Sequence, residues 1–154
     1  MNVGFLESLW RENLVPVAAC LGQGADGQLY NINADHMAAA SAEFVNADHL
    51  IYLTDVAGVL QGQQVISAIS CRQIESLVHS RVVSGGMVLK LEAAKRALEG
   101  GVSEVHIVGG AAAAAVLDPR RFAEPTVKNA FKGLPGTRVL REHLPGGQAA
   151  GAFV

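Results

Sequence analysis

Short apolar runs alternate with amphipathic segments along this chain of 154 residues. An apolar face at helical spacing predicts a helix over about residues 3–13. The apolar run Leu14–Cys20 has strand length and carries Pro16 near its start, so we predict a buried or near-edge strand there. Residues 34–47 are rich in alanine and predict a second helix, for which Asn33 is a suitable N-cap.

The clearest predicted strand covers residues 49–54, and residues 105–108 predict a second, buried strand. Between them the pattern predicts helices over residues 72–79 and 86–98. Solid apolar strands that alternate with helices are typical of a parallel sheet covered on both faces. We therefore predict an α/β fold with a mainly parallel, open sheet sandwiched by helices, in a single domain.

The segment Gly22–Gly27 matches the pattern G-x-G-x-x-G after an apolar run, which raises the question of a dinucleotide site. Such a site needs a helix that opens directly from the glycines, so that its N-terminus can hold the pyrophosphate. Here Gln28–Ile32 alternates between polar and apolar residues, and Asp26-Gly27 favours a tight turn. The pattern therefore favours a β-hairpin over a dinucleotide-binding loop.

Half of the residues are apolar and 17% are charged, which is typical of a globular protein and argues against disorder. The formal net charge is −2 and no basic run is present, so we expect no nucleic-acid partner. The weakly polar stretch over residues 105–117 is too short to span a bilayer, so we expect no membrane insertion. No signal peptide is visible at the N-terminus.

Cys20 and Cys71 are isolated, so the chain has neither a CxxC pair nor a zinc-binding spacing. Two free thiols suit a reducing cytoplasm, which we predict as the location. The five histidines are scattered along the chain, and we expect His106, inside a strand, to be a satisfied core residue and not a metal ligand. We therefore predict no protein metal site. The pattern G-x-x-x-x-G-K-[ST] is also missing from the sequence, so the chain is not expected to be a P-loop protein.

Three polar segments remain as candidate sites. The first, Tyr30–Asp35, brings two amides and one carboxylate to a strand-to-helix junction, although capping by Asn33 explains one of the three. The second, Leu53–Leu60, ends the strongest strand with a polar pair, where open parallel sheets usually bind ligands. In the third, Ser84–Lys90, two glycines leave backbone N–H groups at a helix start available to bind an anion, and Lys90 lies one turn further along the helix. A capping aspartate and a surface lysine are the structural alternatives for the second and third segments.

Together and in this order, the three segments resemble the carboxyl-terminal half of acetylglutamate kinases, which are members of the amino-acid kinase family. The flanking segments are also similar to that family, and the resemblance covers about residues 3–141. These flanking segments are Leu14–Ala18, Gly100–Val102, Val105–Ile107 and Gly136–Val139.

The resemblance implies transfer of the γ-phosphoryl group of ATP to the side-chain carboxylate of N-acetyl-L-glutamate, in arginine biosynthesis. It gives Lys90 the role of stabilising the transition state and Asp35 that of orienting lysines, and it places Asn31 and Asn33 at the amino-acid substrate. Mg²⁺ would bridge the phosphates. The implied nucleotide site consists of Thr54, Asp55, Val56, Ala57, Gly58, Val59, Leu60, Val82, Val83, Ser84 and Gly86.

The chain also departs from the family pattern. A lysine- and glycine-rich opening strand, a paired-glycine substrate loop and an arginine are missing, and Gly109 stands where many members carry an aspartate. We therefore interpret the chain as the nucleotide-binding half of an enzyme that is a homo-oligomer at full length. This half lacks the substrate lobe and is expected to be inactive alone.

Two alternatives stay open. One is another amino-acid kinase, acting on carrier-linked aminoadipate, aspartate or uridine monophosphate. The other is a non-catalytic nucleotide-binding or regulatory module.

Overall fold

The computed structural model describes residues 1–116, 131 and 133–141. The helices of the described residues lie between Val3 and Val116. They are α1 (Val3–Arg11), α2 (Ala34–Phe44), α3 (Cys71–His79), α4 (Gly86–Glu99) and, after a 3₁₀ turn at Gly110–Ala112, α5 (Ala113–Val116). The first four confirm the helices predicted from the apolar spacing, with ends that differ by at most three residues. Within the described part, no helix combines the length and the hydrophobicity needed to cross a bilayer.

Among these described residues, eight strands form one central sheet and two small hairpins. They are β1 (Leu21–Gln23), β2 (Leu29–Asn31), β3 (His49–Thr54), β4 (Leu60–Gln61), β5 (Gln64–Val65), β6 (Ala68–Ser70), β7 (Glu104–Gly109) and β8 (Thr137–Leu140). The glycine-rich segment forms the predicted hairpin, because β1 and β2 pair in antiparallel fashion across its turn. A second, short antiparallel hairpin joins β4 to β5.

The central sheet has the strand order β3-β7-β8-β6. The pairs β3–β7 and β6–β8 are parallel, whereas β7 and β8 are antiparallel. The sheet is therefore mostly parallel, as predicted, with one reversal of direction at its centre. This reversal brings the start of β8 to the edge where β3 and β7 end, since Thr137 is paired with Ile107.

The main core lies between one face of the sheet and helices α2, α3 and α4. Leu50 and Tyr52 of β3 and Val105 and Ile107 of β7 alternate onto this face, as strand geometry requires. Helix α4 lies nearest the centre and buries Leu91, Ala93, Ala94, Ala97 and Leu98. Its small alanines let α2 approach closely, and α2 contributes Ala39 and Ala42 to the same cluster.

The predicted strand over Leu14–Cys20 is wrong. The segment is irregular, and Val15 and Val17 are 86% and 94% exposed. A strand is stable only when its backbone groups pair with a neighbour, and Pro16 lacks one of the donors. Since no strand in the described residues pairs with this segment, its apolar composition alone does not make it a strand.

Candidate active site

Three of the predicted segments meet at one edge of the central sheet. This is the edge where β3 ends at Thr54, where β7 ends at Gly109 and where β8 begins at Thr137. The first turn of α2 and the start of α4 lie near it, because Asp35 and Lys90 are in direct contact. In open α/β sheets, ligands bind in such a crevice outside the carboxyl ends of the strands.

Lys90 and Asp35 form the central ion pair of this crevice. The Nζ atom of Lys90 lies 2.5 Å from Oδ1 of Asp35, and the two side chains are only 13% and 20% exposed. Partial burial strengthens the attraction relative to a surface pair, because less water screens it. The pair therefore holds an ammonium group at a fixed place in the crevice.

Tyr52 positions both members of the pair. Its hydroxyl donates to the backbone carbonyl of Asp35 at 2.9 Å, and the ammonium of Lys90 lies 4.8 Å from the centre of its ring. This distance is within the range of a cation–π attraction. Burial, and then the nearby carboxylate of Asp35, raise the pKa of Tyr52 well above its usual range, so the phenol stays protonated as a donor. Tyr52 is not among the site residues predicted from the sequence. The only feature that could have pointed to it is its aromatic ring among the aliphatic residues of β3.

Asn33 places Asp35 through a helix cap. Its side-chain oxygen accepts hydrogen bonds from the backbone N–H groups of Asp35 and His36, at 3.0 and 3.1 Å. The predicted N-cap is confirmed, and the cap starts α2 so that Asp35 stands in its first turn. Asn31 lies exposed at the end of β2, and no hydrogen bond or ion pair of the described residues joins it to Lys90 or Asp35. The structure thus does not bring Asn31 into the central pair.

A buried hydrogen bond holds the loop that follows β3. The backbone N–H of Val59 donates to the hydroxyl oxygen of Thr137 at 2.8 Å, across 78 positions of sequence. Gly58, with φ +153°, lies so close that an added Cβ would stand 2.9 Å from the same oxygen. The loop can therefore reach β8 only because residue 58 has no side chain. Thr137 is a second residue that sequence analysis did not single out for the site.

The same loop lies on the end of β7. A Cβ at Gly109 would stand 3.0 Å from the backbone oxygen of Val56 and 3.1 Å from Cα of Ala57. A larger residue at this position, such as the aspartate of the family pattern, would require the loop to shift. Asp55 lies exposed at the start of the loop, where the hydroxyl of Thr54 donates to its carboxylate at 3.1 Å.

The start of α4 forms the remaining wall of the crevice. Val82 and Val83 both donate their N–H groups to the carbonyl of Leu77, and Val83 is buried. Gly85 is the N-cap of α4, no side chain caps this helix, and both Gly85 and Gly86 face open space. Backbone N–H groups at such a helix start can bind an anion, and Lys90 lies one turn further along the same helix.

The structure thus brings Lys90 and Asp35 into contact and fixes the loop over residues 54–60 beside the ends of β7 and β8. It offers one fixed cation, free backbone donors and one exposed carboxylate at a single sheet edge. This is an arrangement that can bind and polarise a phosphorylated ligand.

Comparison with known proteins shows the family of this chain. The model of the amino acid kinase family matches residues 1–109. An acetylglutamate kinase from Koribacter versatilis (strain Ellin345) is 48% identical over 126 residues, which are 81% of this chain and 48% of the relative. An acetylglutamate kinase from Pseudothermotoga lettingae is 41% identical over 110 residues, which are 71% of this chain and 39% of the relative. The chain thus spans about half the length, or less, of these curated relatives.

The fold is also similar to solved structures. A crystal structure from Streptococcus mutans UA159 superimposes with a TM-score of 0.74 at 28% identity, and the match covers 92% of this chain and 49% of that protein. The family match covers most of the chain. This chain belongs to the amino acid kinase family.

Proposed function

We propose that this chain is the nucleotide-binding half of an acetylglutamate kinase. The complete enzyme would transfer the γ-phosphoryl group of ATP to the side-chain carboxylate of N-acetyl-L-glutamate in cytoplasmic arginine biosynthesis. The names of the two curated relatives support the reaction. The observation that carries the proposal is the partly buried Lys90–Asp35 pair at the carboxyl end of β3.

In this proposal Lys90 acts on the moving phosphoryl group. Phosphoryl transfer spreads negative charge over that group and its bridging oxygen, so a fixed ammonium stabilises the transition state. Asp35 keeps the ammonium in place through the 2.5 Å contact, and Tyr52 contacts both Asp35 and Lys90 and so fixes their positions. Because the partners are set before the reaction, no reorganisation is needed when charge develops.

The nucleotide would lie against the loop over residues 54–60 and the start of α4. The side chains of Val59 and Val83 are both buried in the core, which would hold these two segments in place. Asp55 can accept hydrogen bonds from sugar or base donors of a nucleotide, whereas the free N–H groups at Gly86 suit its phosphates. Mg²⁺ would arrive with ATP and be held by phosphate oxygens. This fits a crevice in which Asp35 is already engaged by Lys90.

The amino-acid substrate would approach from the side of β2 and α2. Asn31 is exposed there, and its amide could hold the α-carboxylate of N-acetylglutamate. Asn33 would add only its amide N–H₂ group, since its oxygen already caps α2. Residues outside this chain would complete the acceptor site and the homo-oligomer of the complete enzyme.

Calorimetry and a phosphorylation assay test the proposal. The chain alone should bind ADP with Mg²⁺ in a 1:1 complex but should not phosphorylate N-acetylglutamate in a coupled assay. Addition of the other half of a relative, supplied as a separate polypeptide, should restore turnover. Acetylglutamate phosphorylation by the chain alone would contradict the half-enzyme assignment, and failure to bind any nucleotide would contradict the site itself.

A further inference from the structure

A second cluster of polar side chains lies on the sheet face opposite to the main core. His49 and Glu104 face each other at the starts of the paired strands β3 and β7, and His106 follows Glu104 by two positions. Residues two apart on a strand share a face, and directly paired residues on neighbouring strands do as well. Register alone therefore brings two imidazoles and one carboxylate to one place.

The distances in this cluster are those of a set of ligands. Oε2 of Glu104 lies 3.3 Å from Nε2 of His106 and 3.9 Å from Nδ1 of His49. One ligand atom from each of the three residues lies within 4.8 Å of the other two. In a tetrahedral zinc site with bonds of about 2.0–2.1 Å, ligand atoms are roughly 3.4 Å apart. The Glu104–His106 distance already fits, and a small rotation of His49 would complete the set.

Three of the four imidazole nitrogens in this cluster are buried without a hydrogen-bond partner among the described residues. The side chains of His49 and His106 are 7% and 2% exposed. Neither ring nitrogen of His49, nor Nε2 of His106, has a hydrogen-bond partner in the described part of the chain. Buried polar atoms are nearly always paired, so three such atoms around one carboxylate oxygen require an explanation. We had expected His106 to be a satisfied core residue, and its Nε2 is not satisfied.

Two neighbouring side chains border this cluster. NH1 of Arg138 lies 3.7 Å from Oε1 of Glu104, so Oε2 is the carboxylate oxygen that faces the two imidazoles. The ring of Phe131 lies 4.9 Å from that of His49 and 5.7 Å from that of His106, so one side of the cluster is apolar. The Glu104 side chain is 28% exposed, so solvent reaches the edge of the cluster.

We propose that His49, Glu104 and His106 bind a zinc ion, with water as the fourth ligand. Two imidazoles, one carboxylate and one open position are a donor set that suits Zn²⁺. The site would join β3, the edge strand of the sheet, to β7. It lies at the starts of these strands, whereas Thr54 ends the six-residue β3, roughly 17 Å away. The zinc site is therefore separate from the proposed phosphoryl-transfer site and does not depend on it.

Titration of the chelator-treated chain with Zn²⁺ alone tests this proposal. Calorimetry should give one ion per chain, and Co²⁺ should produce the intense visible bands of a four-coordinate ion. His49→Gln and Glu104→Gln should each weaken Zn²⁺ binding by about 100-fold or more, because a lost ligand costs at least as much as a lost supporting contact. His79→Gln is the matched control. This histidine is exposed and one turn from Glu75, so it reports adventitious surface binding.

Far-UV circular dichroism establishes that each variant is folded before titration. His49→Gln changes an edge strand, and the Co²⁺ spectrum reports ligation directly, whatever the stability of the variant. Two results would overturn the proposal. One is a folded parent chain that takes up no stoichiometric Zn²⁺. The other is Zn²⁺ affinity that is the same in the parent, His49→Gln and Glu104→Gln, since the cluster would then be aromatic packing around an ion pair.

Discussion

The ammonium of Lys90 lies 2.5 Å from the carboxylate of Asp35, although 55 positions of sequence separate the two residues. One residue belongs to the first turn of α2 and the other to the second turn of α4. Packing of these two helices over the sheet thus determines where the cation stands.

Lys90→Ala, in a complete enzyme built on this half, should lower kcat much more than it raises the KM for ATP. Charge on the transferred group grows toward the transition state, so an interaction that strengthens only there changes kcat. The loss of one such preorganised donor costs on the order of 3–4 kcal/mol, or about 10²–10³ in rate. Lys90→Arg should rescue poorly, because a planar fork does not replace a compact charge. Steady-state kinetics at varied ATP measure both constants.

Lys95→Ala is the matched control for this experiment. Lys95 lies on the same helix and pairs with exposed Glu75 at 3.0 Å, away from the crevice. Its loss should leave kcat unchanged and barely change the stability, as for other exposed ion pairs. A Lys90→Ala enzyme with the kcat of Lys95→Ala would remove Lys90 from the catalytic residues.

Asp55→Ala should weaken ADP binding about tenfold or more, equivalent to the ~1.4 kcal/mol of one charged hydrogen bond. Asp55 stands exposed at the end of β3, at the predicted nucleotide site. Asp26→Ala is the control, because the Asp26 carboxylate accepts only local hydrogen bonds from Gln28 and Tyr30 at the tip of the first hairpin. Calorimetry on the two variants compares their affinities. Equal affinities would argue against the position of the site.

Thr137→Val should destabilise the fold by about 1–3 kcal/mol, because the buried N–H of Val59 would lose its only acceptor among the described residues. The variant should also bind ADP more weakly, since this hydrogen bond fixes the loop over residues 54–60. Thr137→Ser keeps the hydroxyl and should retain most of the nucleotide affinity. Denaturant unfolding and calorimetry measure the two effects. A valine variant as stable and as tight-binding as the serine variant would show that the loop does not depend on Thr137.

Asn33→Ala should lower the free energy of unfolding by about 1 kcal/mol, the usual cost of a lost N-cap. Asn33→Asp keeps an accepting oxygen and should be close to the parent in stability.

Asn31→Ala should leave stability unchanged, because Asn31 is exposed, and should instead raise the KM for N-acetylglutamate in the complete enzyme. Thermal unfolding and kinetics separate these effects. A stability loss for Asn31→Ala equal to that for Asn33→Ala would contradict the division of roles.

The local pattern of the chain determined most of the elements. The bounds of β3 were predicted without error, and the glycine-rich segment was correctly placed in a hairpin, because periodicity and turn residues act between near neighbours. The predicted cap at Asn33 was found for the same reason. The mistaken strand at Leu14–Cys20 arose because apolar composition does not supply a pairing partner.

What the sequence by itself determined, then, is the four longest helices, the two longest strands, the mostly parallel sheet and the family to which the chain belongs. Only the tertiary structure decided that Lys90 faces Asp35 across Tyr52, that Thr137 holds Val59, and that His49 meets Glu104 and His106. These contacts depend on which strands pair, on one antiparallel reversal between β7 and β8, and on how closely α2 approaches α4. Such long-range packing is set by the whole core, and no local spacing along the chain encodes it.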